Sequence, residues 1–287
     1  MHTSIDCASC FVRQALDAAR MASPETAVHE LVVRTIAREI SEMDLRTSPP
    51  VMAQKIHRLV RRVTGNPDPY RNVKQESNRR ALELLPAVSQ WVRRSVDRMQ
   101  MAVRMAMAGN IIDFGVEERL RSEAVGDVLR RAQTATVVGP LDAFSRQAKR
   151  ADSVLFLADN AGEIVLDRVL VEEIGASKVT VVVRGSPVLN DALEEDAAVA
   201  GLTAMVDVIG NGSDAPGTIL EDCSDELRRR FAAADMVIAK GQGNYESLSG
   251  VQRPVWCLLM AKCPVIADHI GCESGSFVIR KAGAVDE

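Results

Sequence analysis

The feature that most constrains the fold is an alternation of short apolar runs with amphipathic stretches in the second half of the chain. The run Val179–Val183 consists of β-branched residues only, as expected for a strand that is buried on both faces of a sheet. Strands of this kind, separated by helices, predict a mostly parallel sheet with helices on its faces. The predicted strands are 154–158, 179–184, 205–209, 236–240, 255–261 and 276–279, and the predicted helices are 163–174, a helix beginning near 191, and 225–234.

The first 130 residues are predicted to be helical. After Ser23-Pro24 an apolar residue recurs at every fourth position, which predicts a helix with Ser23 as its N-cap. A second, longer helix is predicted to end near Gly109. Its single apolar stripe is formed by Val88, Val92, Val96, Met99, Val103 and Ala106. We therefore predict two units, a helical domain over residues 1–130 and an α/β domain over residues 131–287.

Charge is distributed unevenly between these two units. Residues 1–130 contain 20 basic and 16 acidic residues, a net charge of +4, whereas residues 131–287 contain 15 and 23, a net charge of −8. An acidic surface binds nucleic acid poorly but suits a metal cation. Aromatic residues make up only 3% of the chain, and single-strand nucleic-acid binding relies on aromatic side chains on which bases stack. We therefore predict no nucleic-acid partner.

The sequence contains no pattern typical of membrane insertion or secretion. Its longest apolar run, Val255–Ala261, is far shorter than the roughly 20 residues that a bilayer-spanning helix requires. The first residues lack the basic and apolar regions of a signal peptide. Six cysteines at irregular spacing in a chain of 287 residues do not indicate a disulfide scaffold. We predict a cytoplasmic protein with no membrane partner, and the sequence leaves its oligomeric state open.

Polar side chains follow three of the predicted strands at the point where each strand ends. In an open α/β sheet, ligands bind in the crevice outside the carboxyl ends of the strands. Carboxylates, amides, cations and glycine-rich turns at this edge are the groups that a divalent cation and a phosphate require. The candidates are Asp159, Asn160 and Glu163 after the first strand, Arg184, Asn190 and Asp191 after the second, and Lys240, Gly241, Gly243 and Asn244 after the third.

Each of these segments also has a purely structural interpretation. Asp159-Asn160 could cap the following helix, and Asn190-Asp191 could be an N-cap with Glu194 as its capping-box partner. The glycine-rich turn after the third strand could be an ordinary connection. Lys240 is the exception, because a lysine at the end of a central strand needs a partner. The functional interpretation therefore depends on all three segments meeting at one edge of the sheet.

A second glycine-rich segment, Gly210–Gly217, suggests an alternative function. It approaches the dinucleotide-binding pattern, but Ala215 occupies the place of the third glycine and Pro216 lies where a helix should begin. The alternatives are an S-adenosylmethionine- or dinucleotide-dependent enzyme, a non-catalytic metabolite-binding protein, and a plain turn without function. The zinc-protease motif HExxH and the hydrolase motif GxSxG are absent from the sequence.

Two cysteines near the N-terminus form a CxxC motif, Cys7-Ala8-Ser9-Cys10. A structural zinc site needs four ligands, so Cys263 and Cys272 would have to lie nearby to complete one. A thioredoxin-like motif follows a strand, whereas this pair begins a predicted helix. Two buried thiols on one helix face are the structural alternative. Cys7, Cys10 and Cys263 therefore form a second candidate metal site.

Together these motifs resemble the metal-dependent damage-control phosphatases, an ARMT-like family long known as domain of unknown function 89. The matching segments occur in order along nearly the whole chain, and Asp159–Glu163 and Lys240–Asn244 are the most specific of them. The CxxC motif and Lys262-Cys263 are similar to those of the short prokaryotic branch of the family. The other matching segments are Gln14, Asp68-Pro69-Tyr70, Lys74, Ser77-Asn78, residues 109–113, Arg184-Gly185 and Asn190-Asp191.

The resemblance implies a fold and an activity. The fold would be an N-terminal all-helical domain packed on a Rossmann-like three-layer α/β domain with a mostly parallel sheet. The activity would be hydrolysis of small phosphorylated metabolites, including sugar phosphates, phosphopantetheine-like compounds and damaged phosphometabolites. A divalent metal ion, namely Mn, Co, Ni or Mg, would be the cofactor.

The resemblance also implies roles for individual residues. Asp159, Asn160 and Asp191 would be the metal ligands. Lys240 and Arg184 would hold the phosphate, together with the backbone of Gly241–Asn244. Asn110 and Asp113 would approach the site from the helical domain. Asp159 could act as a ligand or attack phosphorus, and the sequence leaves both open.

Overall fold

The computed structural model describes residues 1–110 and 122–283. Its strands are β1 (Val137–Val138), β2 (Val154–Leu157), β3 (Val179–Val183), β4 (Asp207–Gly210), β5 (Met236–Lys240), β6 (Val255–Met260) and β7 (Phe277–Ala282). Its α-helices are α1 (Cys7–Ala22), α2 (Thr26–Ser41), α3 (Pro49–Thr64), α4 (Arg71–Arg94), α5 (Arg98–Gly109), α6 (Ser122–Ala132), α7 (Leu141–Arg150), α8 (Glu163–Ile174), α9 (Glu194–Val199), α10 (Asp225–Ala233), α11 (Gly241–Leu248) and α12 (Pro264–Ile270).

The strands form one sheet in the order β1-β7-β6-β5-β2-β3-β4. All neighbouring strands run parallel except β6 and β7. The chain adds β3 and β4 on one side of β2 and then continues with β5 and β6 on the other side, so the strand order reverses between β2 and β5. A crevice opens at the carboxyl ends of the strands at such a switch point. The sheet confirms the predicted fold class and places a ligand crevice at the ends of β2 and β5.

Helices cover both faces of the sheet because its central strands are apolar on both faces. Along β2, Phe156 packs into a core with α4, α5, α7 and α8, whereas Leu155 and Leu157 pack into a second core with α10, α11 and α12. Alternate residues of a strand point to opposite faces, so one strand contributes to both cores. Each fully buried side chain of this size stabilises the fold by about 1.5–3 kcal/mol. The result is the three-layer arrangement that the family resemblance implied.

The helices of the first 130 residues belong to two different cores. α1, α2 and α3 pack on one another around Phe11, Ile36 and Ile56. α4 and α5 instead pack on the sheet, where Val103 and Met107 join the same core as Phe156. The two cores therefore cut across the predicted helical domain, and its boundary at residue 130 stays a prediction.

Two helix ends in this region differ from the prediction. Ser23 is the C-cap of α1, where its N–H binds the carbonyl of Ala19, and α2 begins later, with Glu25 as its N-cap. The predicted long helix is two helices, α4 and α5, because Asp97 accepts a hydrogen bond from the backbone N–H of Gln100 and starts a new helix. Val96 lies in this break and is fully exposed, so it does not belong to the buried stripe.

The α/β half follows the predicted order of elements with small shifts. β4 begins at Asp207 rather than at residue 205, and the two-residue strand β1 was not predicted. No helix begins at Asp191: α9 begins at Glu194, and Asp196 rather than Glu194 accepts a hydrogen bond from the backbone N–H of Leu193. None of the helices in the described ranges has the length and apolarity that a membrane span would need.

Candidate active site

Two strand-end segments meet at the crevice and bring three candidate ligands together. The backbone of Asn160 pairs with that of Asp191 in an isolated antiparallel bridge. On either side of it, the N–H of Ala192 donates to the carbonyl of Asp159, and the N–H of Ala161 donates to that of Asn190, each at 2.8 Å. Asp159, Asn160 and Asp191 are all buried. The turn after β3 is therefore held against the end of β2 by backbone hydrogen bonds, which fixes the relative positions of these side chains.

Two buried amides lie between two carboxylates at this site. Asn160 Nδ2 donates to Asp159 Oδ2 at 2.8 Å and to Glu163 Oε2 at 2.9 Å. Asn110, at the C-terminal end of α5, donates to the same two oxygens at 2.9 and 2.7 Å. Its own Oδ1 is buried and has no hydrogen-bond partner among the described residues. Asn110 thus reaches the site from the helical half, as expected, whereas Asp113 lies outside the described residues.

Lys240 does not lie in the position expected for a phosphate ligand. Its side chain is fully buried, and its ammonium group donates to the carbonyl of Ala106 at 3.0 Å, to Glu163 Oε1 at 2.7 Å and to Asp167 Oδ1. These three acceptors use all three of its N–H groups. Lys240 has the partner that the sequence required, but the partner is a pair of carboxylates on α8. The expectation that Lys240 contacts phosphate is therefore corrected: in this structure it holds Glu163.

Arg184 joins the second and third strand ends. Its Nε donates to Asp191 Oδ2 at 2.6 Å, and its Nη1 lies 3.3 Å from Asn244 Oδ1. Its Nη2 is buried without a hydrogen-bond partner among the described residues and lies 3.8 Å from Asp159 Oδ1. Asn244 itself is fully used, because its Nδ2 donates to the carbonyls of Ala158 and Lys240. Asn244 positions Arg184, and Arg184 retains the two N–H donors of its Nη2 for a ligand.

The glycines after β5 allow close packing. Gly241 has a φ of +79°, and a Cβ at this position would overlap the carboxylate of Asp159. A Cβ on Gly243 would overlap the carbonyl of Pro216. Gly241 is also the first residue of α11, so the positive end of this helix lies against Asp159. The expected phosphate cradle at Gly241–Gly243 is thus, in this structure, a close approach of backbone to Asp159 and to the loop before Gly217.

We refer to six buried ionisable groups at these strand ends as the charge cluster. They are Asp159, Glu163, Asp167, Asp191, Arg184 and Lys240. When every group is ionised, four carboxylates face two cations, which leaves a net charge of −2. Burying an uncompensated charge is costly, so such a cluster favours either protonation or an additional cation.

The pKa values in the charge cluster show which carboxylates are most costly to bury in their ionised form. Burial raises the pKa of Asp159 well above its ordinary value, and the neighbouring Glu163 and Asp191 raise it further. Burial also raises the pKa of Asp191 against the opposing effect of Arg184. For Glu163 burial raises the pKa, but the ion pair with Lys240, the hydrogen bond from Asn110 and the charge of Lys262 together lower it below its ordinary value. For Asp167 burial dominates and raises the pKa to about 7. Asp159, which lines the cavity together with Asp191, is thus a carboxylate whose charge Arg184 and Lys262 compensate only in part.

The side chains at the strand ends determine which metal ion could bind there. In the part of the chain that the structure describes, no group of three or more His, Cys, Asp and Glu side chains is arranged to hold one. Within that part of the chain, Cys7, Cys10 and Cys263 therefore do not form the second candidate metal site. A site at the strand ends must include the amide of Asn160 beside the carboxylates of Asp159 and Asp191. Oxygen donors of this kind, with uncompensated negative charge, fit a hard divalent cation.

The crevice opens into a cavity of about 300 Å³, which we call the inner cavity. Asp159, Asn160 and Asp191 line one side of it. Glu163, Lys240 and Asn244 do not line the cavity and lie behind the residues that do. Several of its other walls were not predicted as site residues. They are Phe11, Gln14, Pro49, Pro50, Ala53, Leu189, Gln242, Glu246, Lys262 and Val265. The thiols Cys7, Cys10 and Cys263, which were predicted as a second candidate site, also line this cavity.

Sequence reasoning missed Asp167 and Glu246. Asp167 lies one helical turn after Glu163 on α8, and this i, i+4 spacing on an otherwise apolar helix face was the signal for a second partner of Lys240. Glu246 is on α11, and burial raises its pKa to about 7. A carboxylate in the middle of a short helix has no distinctive pattern, so the sequence offered no signal for Glu246.

The segment Gly210–Gly217 has a structural role that accounts for its glycines. A Cβ on Gly185 would overlap the backbone of Gly212, and Gly217 packs against Gly243. Asp214 accepts hydrogen bonds from Gln54, Arg58 and Arg61 of α3. The next α-helix begins only at Asp225, so no helix N-terminus follows the segment directly. The dinucleotide arrangement requires such a helix, and the segment instead binds α3 to the sheet.

Comparisons with known proteins agree over the whole chain. The family described as the damage-control phosphatase ARMT1-like domain matches residues 3–278. An uncharacterized protein of Methanocaldococcus jannaschii, MJ0202, is 34% identical over 96% of this chain and 94% of its own length. A damage-control phosphatase of Archaeoglobus fulgidus is 34% identical over 96% of this chain and 97% of its own length. The crystal structure of a DUF89 family protein (PH1575) of Pyrococcus horikoshii is similar with a TM-score of 0.90 and 27% identity, over 98% of this chain and 99% of that chain.

Proposed function

Because the chain belongs to the damage-control phosphatase ARMT1-like family, we propose that it is a divalent-metal-dependent phosphatase that hydrolyses small phosphorylated metabolites. The observation that carries the proposal is the charge cluster beside the inner cavity. When all six groups are ionised, its four buried carboxylates and two buried cations leave a charge of −2, which one divalent cation would balance. Asp159, whose charge is compensated only in part, faces the cavity where a substrate would enter.

Asp159, Asn160 and Asp191 would hold the cation, and Mn, Co, Ni and Mg are the candidates. A divalent cation in such a site lowers the pKa of a bound water and offsets charge on the transferring phosphoryl group. The amides of Asn110 and Asn160 orient the carboxylate of Asp159, since both donate to Oδ2. Oδ1 of Asp159 accepts neither of these bonds, so it is the oxygen available to a ligand.

Arg184 is the proposed phosphate-binding residue. Its Nη2 is buried and unpartnered among the described residues, within 3.8 Å of Asp159 Oδ1, so a phosphate oxygen at this position would receive a charge-assisted hydrogen bond. Its other contacts, to Asp191 and Asn244, fix the direction of that donor. A preoriented donor beside the reacting group stabilises the charge that develops in the transition state. Lys240 contributes indirectly, because it holds Glu163 behind the two amides.

The size of the inner cavity and the relatives support the substrate class. A cavity of about 300 Å³ accepts a small metabolite rather than a protein or a nucleic acid. The relative from Archaeoglobus fulgidus is named a damage-control phosphatase, which supports damaged phosphometabolites as substrates. Sugar phosphates and phosphopantetheine-like compounds are the further candidates. A cytoplasmic location stays a prediction.

The proposal is tested by phosphate release from p-nitrophenyl phosphate and a panel of sugar and cofactor phosphates. Each assay is run with chelator, and then with Mn, Co, Ni or Mg added. We expect release only with metal, and we expect Asp159→Asn to lose at least about a thousandfold in kcat/KM. The control is Asp142→Asn, which removes an exposed carboxylate on α7.

Two results would contradict the proposal. The first is turnover that persists in chelator, and the second is turnover that Asp159→Asn leaves unchanged. Thermal unfolding of both variants shows whether any loss reflects misfolding instead. Because Asn is isosteric with Asp and removes a poorly compensated charge, we expect the metal-free Asp159→Asn protein to unfold at the same temperature as the wild type or a higher one.

A further inference from the structure

A second cavity of about 520 Å³ adjoins the inner cavity, and we call it the outer cavity. The two cavities share four lining residues, namely Cys10, Gln14, Leu189 and Asn190. The inner cavity contains the candidate metal ligands, and the outer cavity runs along one face of α1. The shared walls make the two cavities compartments of one groove.

Leu189 lies at the junction in an unusual backbone conformation. Its φ is +47°, a region that residues with a side chain rarely occupy. Its side chain lines both cavities and also packs against the core of α1, α2 and α3. Strained backbone of this kind persists where the surrounding structure enforces it, and it concentrates at functional sites. The packing around Leu189 therefore holds the loop that carries Asp191 at the point where the two cavities meet.

Gln14 provides an unused polar group at the same junction. Its Oε1 is buried and has no hydrogen-bond partner among the described residues. A buried acceptor without a partner is costly, and a ligand that donates a hydrogen bond would remove this cost. A molecule that crosses the junction should therefore carry a hydroxyl or amide N–H near its middle.

Two arginines line the outer cavity, and one of them forms no ion pair with a carboxylate among the described residues. Arg13 and Arg20 both line it, two helical turns apart on the same face of α1. Arg20 lies 3.9 Å from Asp17, whereas Arg13 forms no ion pair within the described ranges and contacts only Cys10 Sγ, at 3.8 Å. Arg13 is therefore free to bind an anionic group of a ligand through its planar guanidinium.

We propose that the outer cavity is a second subsite, in which Arg13 binds an anionic group at the far end of the substrate. The inference rests on the proposed phosphatase function and narrows its substrate class. The preferred substrate is a phosphomonoester whose carbon chain carries hydrogen-bond donors and ends in a carboxylate or a second phosphate. The phosphate lies at Asp159 and Arg184, the donors face Gln14, and the second anion faces Arg13.

The test compares two substrates that differ at one end. 6-Phosphogluconate and sorbitol 6-phosphate have the same six-carbon polyol chain, with a carboxylate or a hydroxymethyl group at the end remote from the phosphate. We expect the wild type to have the higher kcat/KM for 6-phosphogluconate. In Arg13→Gln the ratio of the two kcat/KM values should fall about threefold to tenfold, mainly through KM, and Arg13→Lys should restore part of it.

The control is Arg34→Gln on the exposed face of α2, which should leave both values unchanged. The inference is overturned if Arg13→Gln has the same ratio as the wild type, or if Arg34→Gln lowers the ratio equally. Metal-dependent hydrolysis of p-nitrophenyl phosphate separates the two claims. If it occurs while the ratio does not respond to Arg13, the second subsite is wrong and the phosphatase function stands. If it does not occur, the proposed function fails and the subsite fails with it.

Discussion

Two glycine-containing loops at the same edge of the sheet look alike in sequence. They differ in whether the polar and charged groups around them have partners. After β5, the turn at Gly241 lies against the charge cluster, in which Arg184 Nη2 has no hydrogen-bond partner among the described residues. After β4, the loop Gly210–Gly217 is tied to the helical half through Asp214, which accepts hydrogen bonds from three side chains of α3. Unsatisfied groups beside a cavity indicate a ligand site, whereas satisfied groups between packed elements indicate a structural joint.

The largest expected effect on stability comes from replacing Lys240. This variant tests whether Lys240 is a buried structural residue or a ligand-binding residue. Lys240→Met leaves Glu163 and Asp167 buried without their cation, so the free energy of unfolding should fall by about 3–5 kcal/mol. Urea unfolding measures this, with Lys55→Met on the surface of α3 as the control. Adding Asp167→Asn to Lys240→Met should recover part of the loss. If Lys240→Met is as stable as the control, Lys240 is not the buried anchor described above.

The next effect tests the close approach at Gly241. Gly241→Ala places a Cβ into the carboxylate of Asp159 and keeps a φ of +79°, so both stability and activity should fall. We expect a loss of about 1–3 kcal/mol in unfolding free energy and a larger loss in kcat/KM, because Asp159 must move. Gly271→Ala is the matched control, since Gly271 has a φ of +81° and no atom of the described residues lies within 4 Å of a Cβ there. Equal behaviour of the two variants would mean that Gly241 is an ordinary turn residue.

The smallest expected effect on activity comes from the other loop. Asp214→Asn weakens the contacts with Arg58 and Arg61, so the free energy of unfolding should fall by about 1–3 kcal/mol. The kcat/KM of the folded protein should change less than about threefold, because the loop does not hold substrate. Assays well below the unfolding temperature check this. A loss of activity as large as that of Asp159→Asn would show that Gly210–Gly217 belongs to the active site.

The sheet was predictable from sequence because strands buried on both faces leave unbroken apolar runs. Asp159, Asn160 and Asp191 could be placed at one edge, since parallel strands end on the same side. The direction of the Lys240 side chain could not be predicted. It depends on whether Lys240 faces the crevice or α8, and the acceptors that decide this, Asp167 and the carbonyl of Ala106, come from distant parts of the chain.

The break between α4 and α5 illustrates a second limit. Val96 continues the apolar period, yet the N-cap at Asp97 determines the local structure and leaves Val96 in solvent. A local hydrogen bond from Gln100 outweighed periodicity at that point. Likewise Asn190-Asp191 matched a helix cap, but tertiary pairing with Asn160 uses the backbone of this segment instead.

The central claim is that a divalent cation completes the charge cluster, and equilibrium binding of Mn²⁺ to the purified protein tests it most directly. Isothermal titration of the metal-free wild type should give one Mn²⁺ per chain, with a rise in thermal unfolding temperature. Asp159→Asn should lose most of this binding, whereas Asp142→Asn should keep it. No binding to the wild type, or equal binding to wild type and Asp159→Asn, would contradict the account.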